Sequence, residues 1–215
     1  MPKTPETAAR TGLPGRKAQA ARNDGIILDA ARAVFLADPG APIAAVAERA
    51  GVGISALYRR YPSKEALLRT LCYEGLRRYN TEAEAALQNP DDWQVLVVFL
   101  HRVVEADVHS LTVRLAGTFT PDDEIVPDVR RSAELNEEII RRARTSGRLR
   151  PDVTTPDLGL ILEACAAIDV ADPSRTSELR RRMLALLIDG LTVKGELPGP
   201  PPGPEEFVSR WQPQG

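Results

Sequence analysis

The sequence predicts an all-α protein of about nine helices, in which an N-terminal three-helix unit with a helix-turn-helix precedes a larger helical domain. Three observations carry this reading. Apolar residues recur every three or four positions, and no convincing run alternates Val, Ile or Thr with polar residues as a half-buried strand would. Proline and glycine gather at the two ends and between the periodic segments, where they stop helices. The 215 residues are 43% apolar and 27% charged, an ordinary globular composition with enough apolar surface for one large or two small cores.

Residues 1–20, MPKTPETAARTGLPGRKAQA, combine Pro, Thr, Gly and basic side chains and read as a disordered basic arm. A first helix is expected over 23–36, with Ile27, Ala30, Ala31, Val34 and Phe35 on one face, and Asp38-Pro39-Gly40 stops it. Pro42 suits the first position of a second helix carrying Val46, Ala47 and Ala50, which Gly51 breaks. A short third helix follows and ends at Pro62; Ser63 then caps a long helix reaching Gln88. Asn89-Pro90 opens the next, whose stripe is Trp93, Leu96, Val97, Leu100 and Val104, and a shorter helix covers 108–119. After the loop Thr120-Pro121-Asp122-Asp123 comes a helix over 127–146 with Gly147 as its left-handed cap. The linker RLRPDVTTPDLG leads to a helix with Thr155 as N-cap and Pro156 at its first position, running to Val170, and the last helix spans 174–193. The tail KGELPGPPPGPEEFVSRWQPQG is Pro/Gly-rich and reads as extended or disordered. The expected organisation is therefore an arm over 1–20, a helix-turn-helix domain over 21–68, a second domain over 69–194 and a tail over 195–215.

The stretch AGVGISALYRRYPSKEALL, residues 50–68, holds the most specific signal. Two short helices joined by a glycine turn form a helix-turn-helix. Gly51 permits the positive φ that a residue with a Cβ resists, and Gly53 serves as a second-rank N-cap. Ile54, Leu57 and Tyr61 are spaced to form an inward face, so Ser55, Ala56, Arg59 and Arg60 point outward. A two-turn helix suffices to lie in a major groove and present about four side chains to base edges. Ser63-Lys64 then starts a helix whose N-terminal amides favour a phosphate, with Lys64 adding a point charge.

Charge distribution agrees. The net charge of -2 divides into 13 Lys/Arg against 7 Asp/Glu over residues 1–80 and 15 against 23 over the remainder, that is, +6 and -8. A basic N-terminal part on an acidic remainder points to a polyanion met by the N-terminal part alone.

These residues, with ILDAARAVF and IAAVAERA ahead of them, resemble the DNA-binding domain of TetR-family transcriptional regulators, closely over about 20–70; the remainder is similar in length and helix pattern. The resemblance implies a buried Leu57 and Tyr61, phosphate contacts from Tyr58 and Lys64, and a groove-facing Ser55, Ala56, Arg59 and Arg60. Ala41-Pro42-Ile43 lacks the hydroxyl common at the start of the family's second helix, Gly53 stands for a frequent Ser and Ala56 for a frequent Thr. More of the contact then falls on Arg59, Arg60 and the basic arm with Arg16, Lys17 and Arg22. The implied function is a sequence-specific DNA-binding regulator, a repressor released from a palindromic operator on double-stranded DNA by a small-molecule ligand. The resemblance also makes the larger domain the ligand-binding and dimerisation domain of a homodimer.

The last two helices carry wide apolar faces, including Leu158 and Leu162, then Leu179, Met183, Leu186 and Leu187, which either pair with a symmetry copy or fill the monomer's own core. Polar or aromatic residues interrupting apolar faces are candidate ligand contacts: Trp93, Val97 beside it, His101, Glu105, His109, Arg114 and Glu163. His101, Glu105 and His109 lie at i, i+4 and i+8 and could share a metal on one helix face, but a solvated stripe is the favoured reading, and neither metal nor cofactor is expected. Two histidines and the absence of G-x-S-x-G, a P-loop or G-x-G-x-x-G argue against an enzyme. A constitutive or protein-sensing regulator whose second domain only dimerises is the closer alternative. No window of about 20 apolar residues and no N-terminal apolar segment occurs, and Cys72 and Cys165 sit among helix-type apolar residues as buried thiols. A cytoplasmic protein without membrane contact is expected.

Overall fold

The computed structural model describes the backbone of residues 14–115, 117–192, 195–203 and 206, and the side chains of these from residue 24 onward. The described residues form nine α-helices, one 3-10 turn and no strand. The helices are α1 (Pro14–Ala37), α2 (Ile43–Ala50), α3 (Ile54–Arg60), α4 (Lys64–Leu87), α5 (Asp92–Glu105), α6 (Val108–Leu115), α7 (Val126–Thr145), α8 (Asp157–Ala166) and α9 (Pro173–Gly190), with the 3-10 turn at Asp123–Ile125. None of these helices is long and apolar enough to cross a membrane.

Local chemistry sets most of the ends. Gly51 ends α2 at φ 65° and Gly147 follows α7 at φ 70°, both in the left-handed region that a Cβ disfavours. Ser63 caps α4 by accepting from the Ala66 N–H at 3.0 Å, and Asp91 caps α5 by accepting from Trp93 and Gln94. Five expectations shift. α1 begins at Pro14, so residues 14–20 of the expected arm are helical: Pro14 occupies a first-turn position and RKAQAAR after it is rich in helix formers. Pro42 is the N-cap of α2 rather than its first residue, and Pro156 rather than Thr155 is the N-cap of α8. α6 ends at Leu115, with Gly117 at φ 77° just beyond. α8 ends at Ala166 because the Thr176 hydroxyl takes both backbone groups of Val170, accepting from its N–H at 3.0 Å and donating to its carbonyl at 3.1 Å.

Two cores form. The first joins Phe35, Val46, Leu57 and Tyr61 of the N-terminal helices to Leu67, Leu68 and Leu71 of α4 and to Leu111 and Leu115 of α6. The second gathers Trp93, Leu96, Phe99 and Leu100 of α5, Ile139 and Ile140 of α7, Leu158 and Leu162 of α8, and Leu184 of α9. α4 runs through both: its first three turns belong to the N-terminal core, and Ala83 and Ala86 to the other. α6 inserts Leu111, Leu115 and the following Phe119 into the N-terminal core, so that core reaches well past residue 68. At the junction Asp107, at φ 49°, pairs with Arg32 of α1 at 3.3 Å and with Arg180 of α9 at 2.6 Å, while Arg114 donates to the Leu36 carbonyl at 2.6 Å.

Candidate nucleic-acid interface and ligand cavity

The turn between α2 and α3 is closed by Gly51 and Val52, whose N–H groups bond to the carbonyls of Glu48 at 3.1 Å and Ala47 at 3.0 Å. Gly53 then caps α3 in an extended conformation. Leu57 is fully buried and Tyr61 nearly so, which seats α3 against the N-terminal core. Ile54, expected inward with them, is 41% exposed. Side chains lean toward a helix's N-terminus, so the first residue of α3 overhangs the glycine turn, where no helix backs it. Ser55, Tyr58, Arg59 and Arg60 are exposed and Ala56 is half-buried, giving one outward polar face on a helix of 7 residues.

The basic residues of that face differ in their engagements. Arg59 makes no ion pair among the described residues. Arg60 grips Asp24 of α1 with both edges of its fork, Nε to Oδ1 at 2.8 Å and one terminal nitrogen to Oδ2 at 2.5 Å, and the Asp24 carboxylate raises the guanidinium pKa further. Lys64 is half-buried: its ammonium donates to the Pro39 carbonyl at 2.9 Å and lies 5.2 Å over the Phe35 ring. It clamps the start of α4 to the α1–α2 turn and keeps two of three protons for an anion. Lys17 and Arg22 lie on the α1 backbone, and their side chains, like that of Arg16, fall outside the described residues.

The larger domain holds an apolar cavity of about 420 Å³ beside α4. Cys72, Leu76 and Tyr79 of α4 form one wall, His109 and Thr112 of α6 another, and Phe119, Pro121 and Ile125 close it from the connecting loop. Burial pushes the Cys72 thiol up to about 12, so at neutral pH it adds to the apolar lining and is no nucleophile. The loop is tied to α4 through Asp122, which accepts from the Tyr73 hydroxyl at 2.8 Å and pairs with Arg69 at 2.9 Å. These partners hold the Asp122 carboxyl below its ordinary range, the Tyr73 hydroxyl contributing most. Polar groups on the lining residues include the His109 ring, the Thr112 hydroxyl and the Tyr79 hydroxyl, which donates to Asn136 at 2.8 Å. His109 carried the signal for this site in the sequence, whereas the α4 wall of Cys72, Leu76 and Tyr79 was not among the expected contacts.

Of the residues singled out for a ligand, His109 lines this cavity and the other six are not brought together. Trp93 is 3% exposed in the second core, with the Arg148 guanidinium stacked 4.8 Å from its ring, and Val97 packs against that core. His101 and Glu163 line neither this cavity nor the second one described next. Glu105 and Arg114 line a more polar cavity of about 450 Å³ between the end of α1, the α5–α6 turn and the start of α9. There Arg114 pairs with Asp169 at 2.5 Å, and Arg180 with Asp107. The supposed His101/Glu105/His109 face is interrupted: α5 ends at Glu105, the chain turns at Asp107, and Glu105 and His109 line different cavities.

The expected interface residues also divide. Leu158 and Leu162 are 1% and 2% exposed and belong to the monomer's own core, where α8 meets α5 and α9. Leu179 is half-buried, and Met183 and Leu187 pack partly on the core, whereas Leu186 is 62% exposed. Leu160, on the outer side of α8, is 46% exposed and was not singled out by periodicity, which marks only the stronger face.

Residues 27–71 match the model of bacterial regulatory proteins of the tetR family, and residues 90–193 match the C-terminal domain of SbtR-like transcriptional regulators. No curated protein matches the chain. A TetR transcription regulatory protein from Mycobacterium vanbaalenii is 26% identical, with 82% of this chain and 99% of that one covered and a TM-score of 0.56. The TetR-like regulator LfrR from Mycobacterium smegmatis, solved in complex with proflavine, is 23% identical over 82% of this chain and 99% of its own, with a TM-score of 0.60. A TetR regulator from Streptomyces coelicolor is 22% identical over 80% and 99%, with a TM-score of 0.58. With a glycine-turned reading helix at one end and a matched regulator domain over the other, this chain belongs to the TetR family of transcriptional regulators.

Proposed function

We propose that this regulator represses transcription by binding a palindromic operator as a cytoplasmic homodimer, and that a small, largely apolar molecule entering the cavity beside α4 releases it. The observation that carries the reading is that one helix serves both sites. α4 starts with Lys64 at the reading head and lines the cavity from Cys72 to Tyr79, about 12 Å further along at 1.5 Å per residue. A ligand that favours a tilted α4 changes the separation of the two recognition helices, which must match successive major grooves about 34–36 Å apart. A shift from 1:99 to 99:1 in the released state needs a preference of about 5.5 kcal/mol, since equal affinity for both states moves nothing. An apolar cavity of this size fits a small ligand, and the proflavine complex of LfrR is a precedent within the fold. The exposed Leu160 and Leu186 of α8 and α9 supply an apolar surface for the second copy.

Selection from random duplexes is expected to recover inverted repeats, and titration of small apolar molecules against the selected duplex to find one that lowers affinity. Asymmetric sites only, or a monomer at micromolar concentration, would refute the dimeric reading. Operator affinity indifferent to every molecule that fills the cavity would instead leave a regulator whose second domain only dimerises.

A further inference from the structure

Among the described residues, Arg60 is the arginine of α3 that forms an ion pair, and its partner comes from 36 residues earlier in the chain. Nε and a terminal nitrogen of Arg60 address the two Asp24 oxygens separately, the planar fork-to-carboxylate arrangement that also suits a phosphate. Asp24 is held on α1 with its side chain 23% exposed, while the Arg60 side chain is 60% exposed. The carboxylate is therefore fixed by its helix, and the guanidinium reaches back to it. Arg59, the preceding residue, has no such anchor among the described residues.

We infer that Asp24 is a specificity-determining residue: it occupies the phosphate-binding fork of Arg60 and so withholds one cation from DNA of arbitrary sequence. The inference rests on the reading of α3 as the DNA-contacting helix. On a non-cognate duplex, a phosphate must displace a carboxylate already in bidentate geometry, and Asp24 repels the backbone besides. On the operator, base contacts along the rest of α3 hold the helix in the groove whether or not Arg60 is released. The pair thus weakens sequence-independent binding more than specific binding. Because each phosphate neutralised contributes about 0.9 to the dependence of log K on log salt, one withheld cation corresponds to about eightfold in affinity at 0.1 M salt.

The test uses full-length protein, the selected operator and a scrambled duplex of equal length, titrated from 0.05 to about 0.3 M salt, the range over which such slopes are resolved. Asp24→Asn is expected to raise affinity for the scrambled duplex about eightfold at 0.1 M salt, to steepen its salt slope by about 0.9, and to raise operator affinity less. Asp24→Ala should behave alike, and in an Arg60→Ala background neither change should steepen the slope. Thermal melts of each variant confirm that titrations are run on folded protein. If Asp24→Asn lowers affinity for both duplexes in parallel, or leaves the scrambled slope unchanged while the parent binds its operator, Asp24 is a structural strut and the inference fails. If the slope steepens equally without Arg60, the effect is repulsion alone and the withheld-cation mechanism fails. A parent protein that binds neither duplex would overturn the DNA-binding reading itself, and the inference with it.

Discussion

Gly75 offers a direct test of the cavity, because the sign of the effect depends on whether the space is there. It lies in the interior of α4 on the cavity wall, and a Cβ built there would meet only the Val108 carbonyl oxygen, at 3.9 Å, an ordinary van der Waals contact. Gly75→Ala should therefore stabilise the protein by about 1 kcal/mol, the helix-interior difference between the two residues, and raise Tm by about 2–4 °C for a chain of this size. Gly75→Leu extends four carbons into a space of about 420 Å³. Burying such a side chain contributes about 1.5–3 kcal/mol where there is room, whereas forcing it into a filled core costs about 1–3 kcal/mol. The expected order in urea unfolding is Leu at least as stable as Ala, and both above the parent. The Leu variant should also lose binding of anilinonaphthalene sulfonate, an apolar fluorescent probe, while keeping its operator affinity. Destabilisation by Gly75→Leu with unchanged probe binding would refute the open cavity, and the inducer mechanism would lose its site.

Further outcomes follow from the same structure. Gly51→Ala meets no atom within 4 Å but keeps φ at 65°, so it should cost about 1–2 kcal/mol in urea melts through backbone strain alone and weaken operator binding by loosening α3. Arg59→Ala should relax base preference at one operator position and cost about 1–3 kcal/mol of binding, while Lys64→Ala should weaken all duplexes and destabilise the domain, since the ammonium also holds the Pro39 carbonyl. Leu186→Glu should abolish the proposed dimer in sedimentation without unfolding the protein, because that side chain is 62% exposed in the protomer. Asp152, held at about 2 mainly by Arg150 and also by the Leu197 N–H, fastens the start of the tail. Its folded pKa is depressed, so the fastening is complete above the unfolded value of 3.8 and is lost as pH falls toward about 2, which carboxyl chemical shifts will follow.

The sequence alone determined what depends on neighbours three or four residues apart. The Ser63 cap, the left-handed glycines at 51 and 147, the extents of α4 and α7, and the burial of Leu57 all rest on local hydrogen bonding, backbone sterics and helical period. These same local signals put the outward-facing Ser55, Tyr58, Arg59 and Arg60 on one short helix. Periodicity identifies an apolar face but not what covers it, so only the tertiary structure decided that Leu158 and Leu162 fill the monomer core while Leu160 and Leu186 stay outside. It alone broke the stripe through His101 at Asp107, where pairing to Arg32 and Arg180 from distant helices accompanies a left-handed turn. It alone made α4 one wall of the cavity, facing α6 and the Asp122 loop, and sealed Trp93 of α5 under Arg148. And it set Asp24 against Arg60 across 36 residues. A side chain's partner in a packed core or an ion pair is chosen by the arrangement of whole helices, and no interval along the chain encodes it.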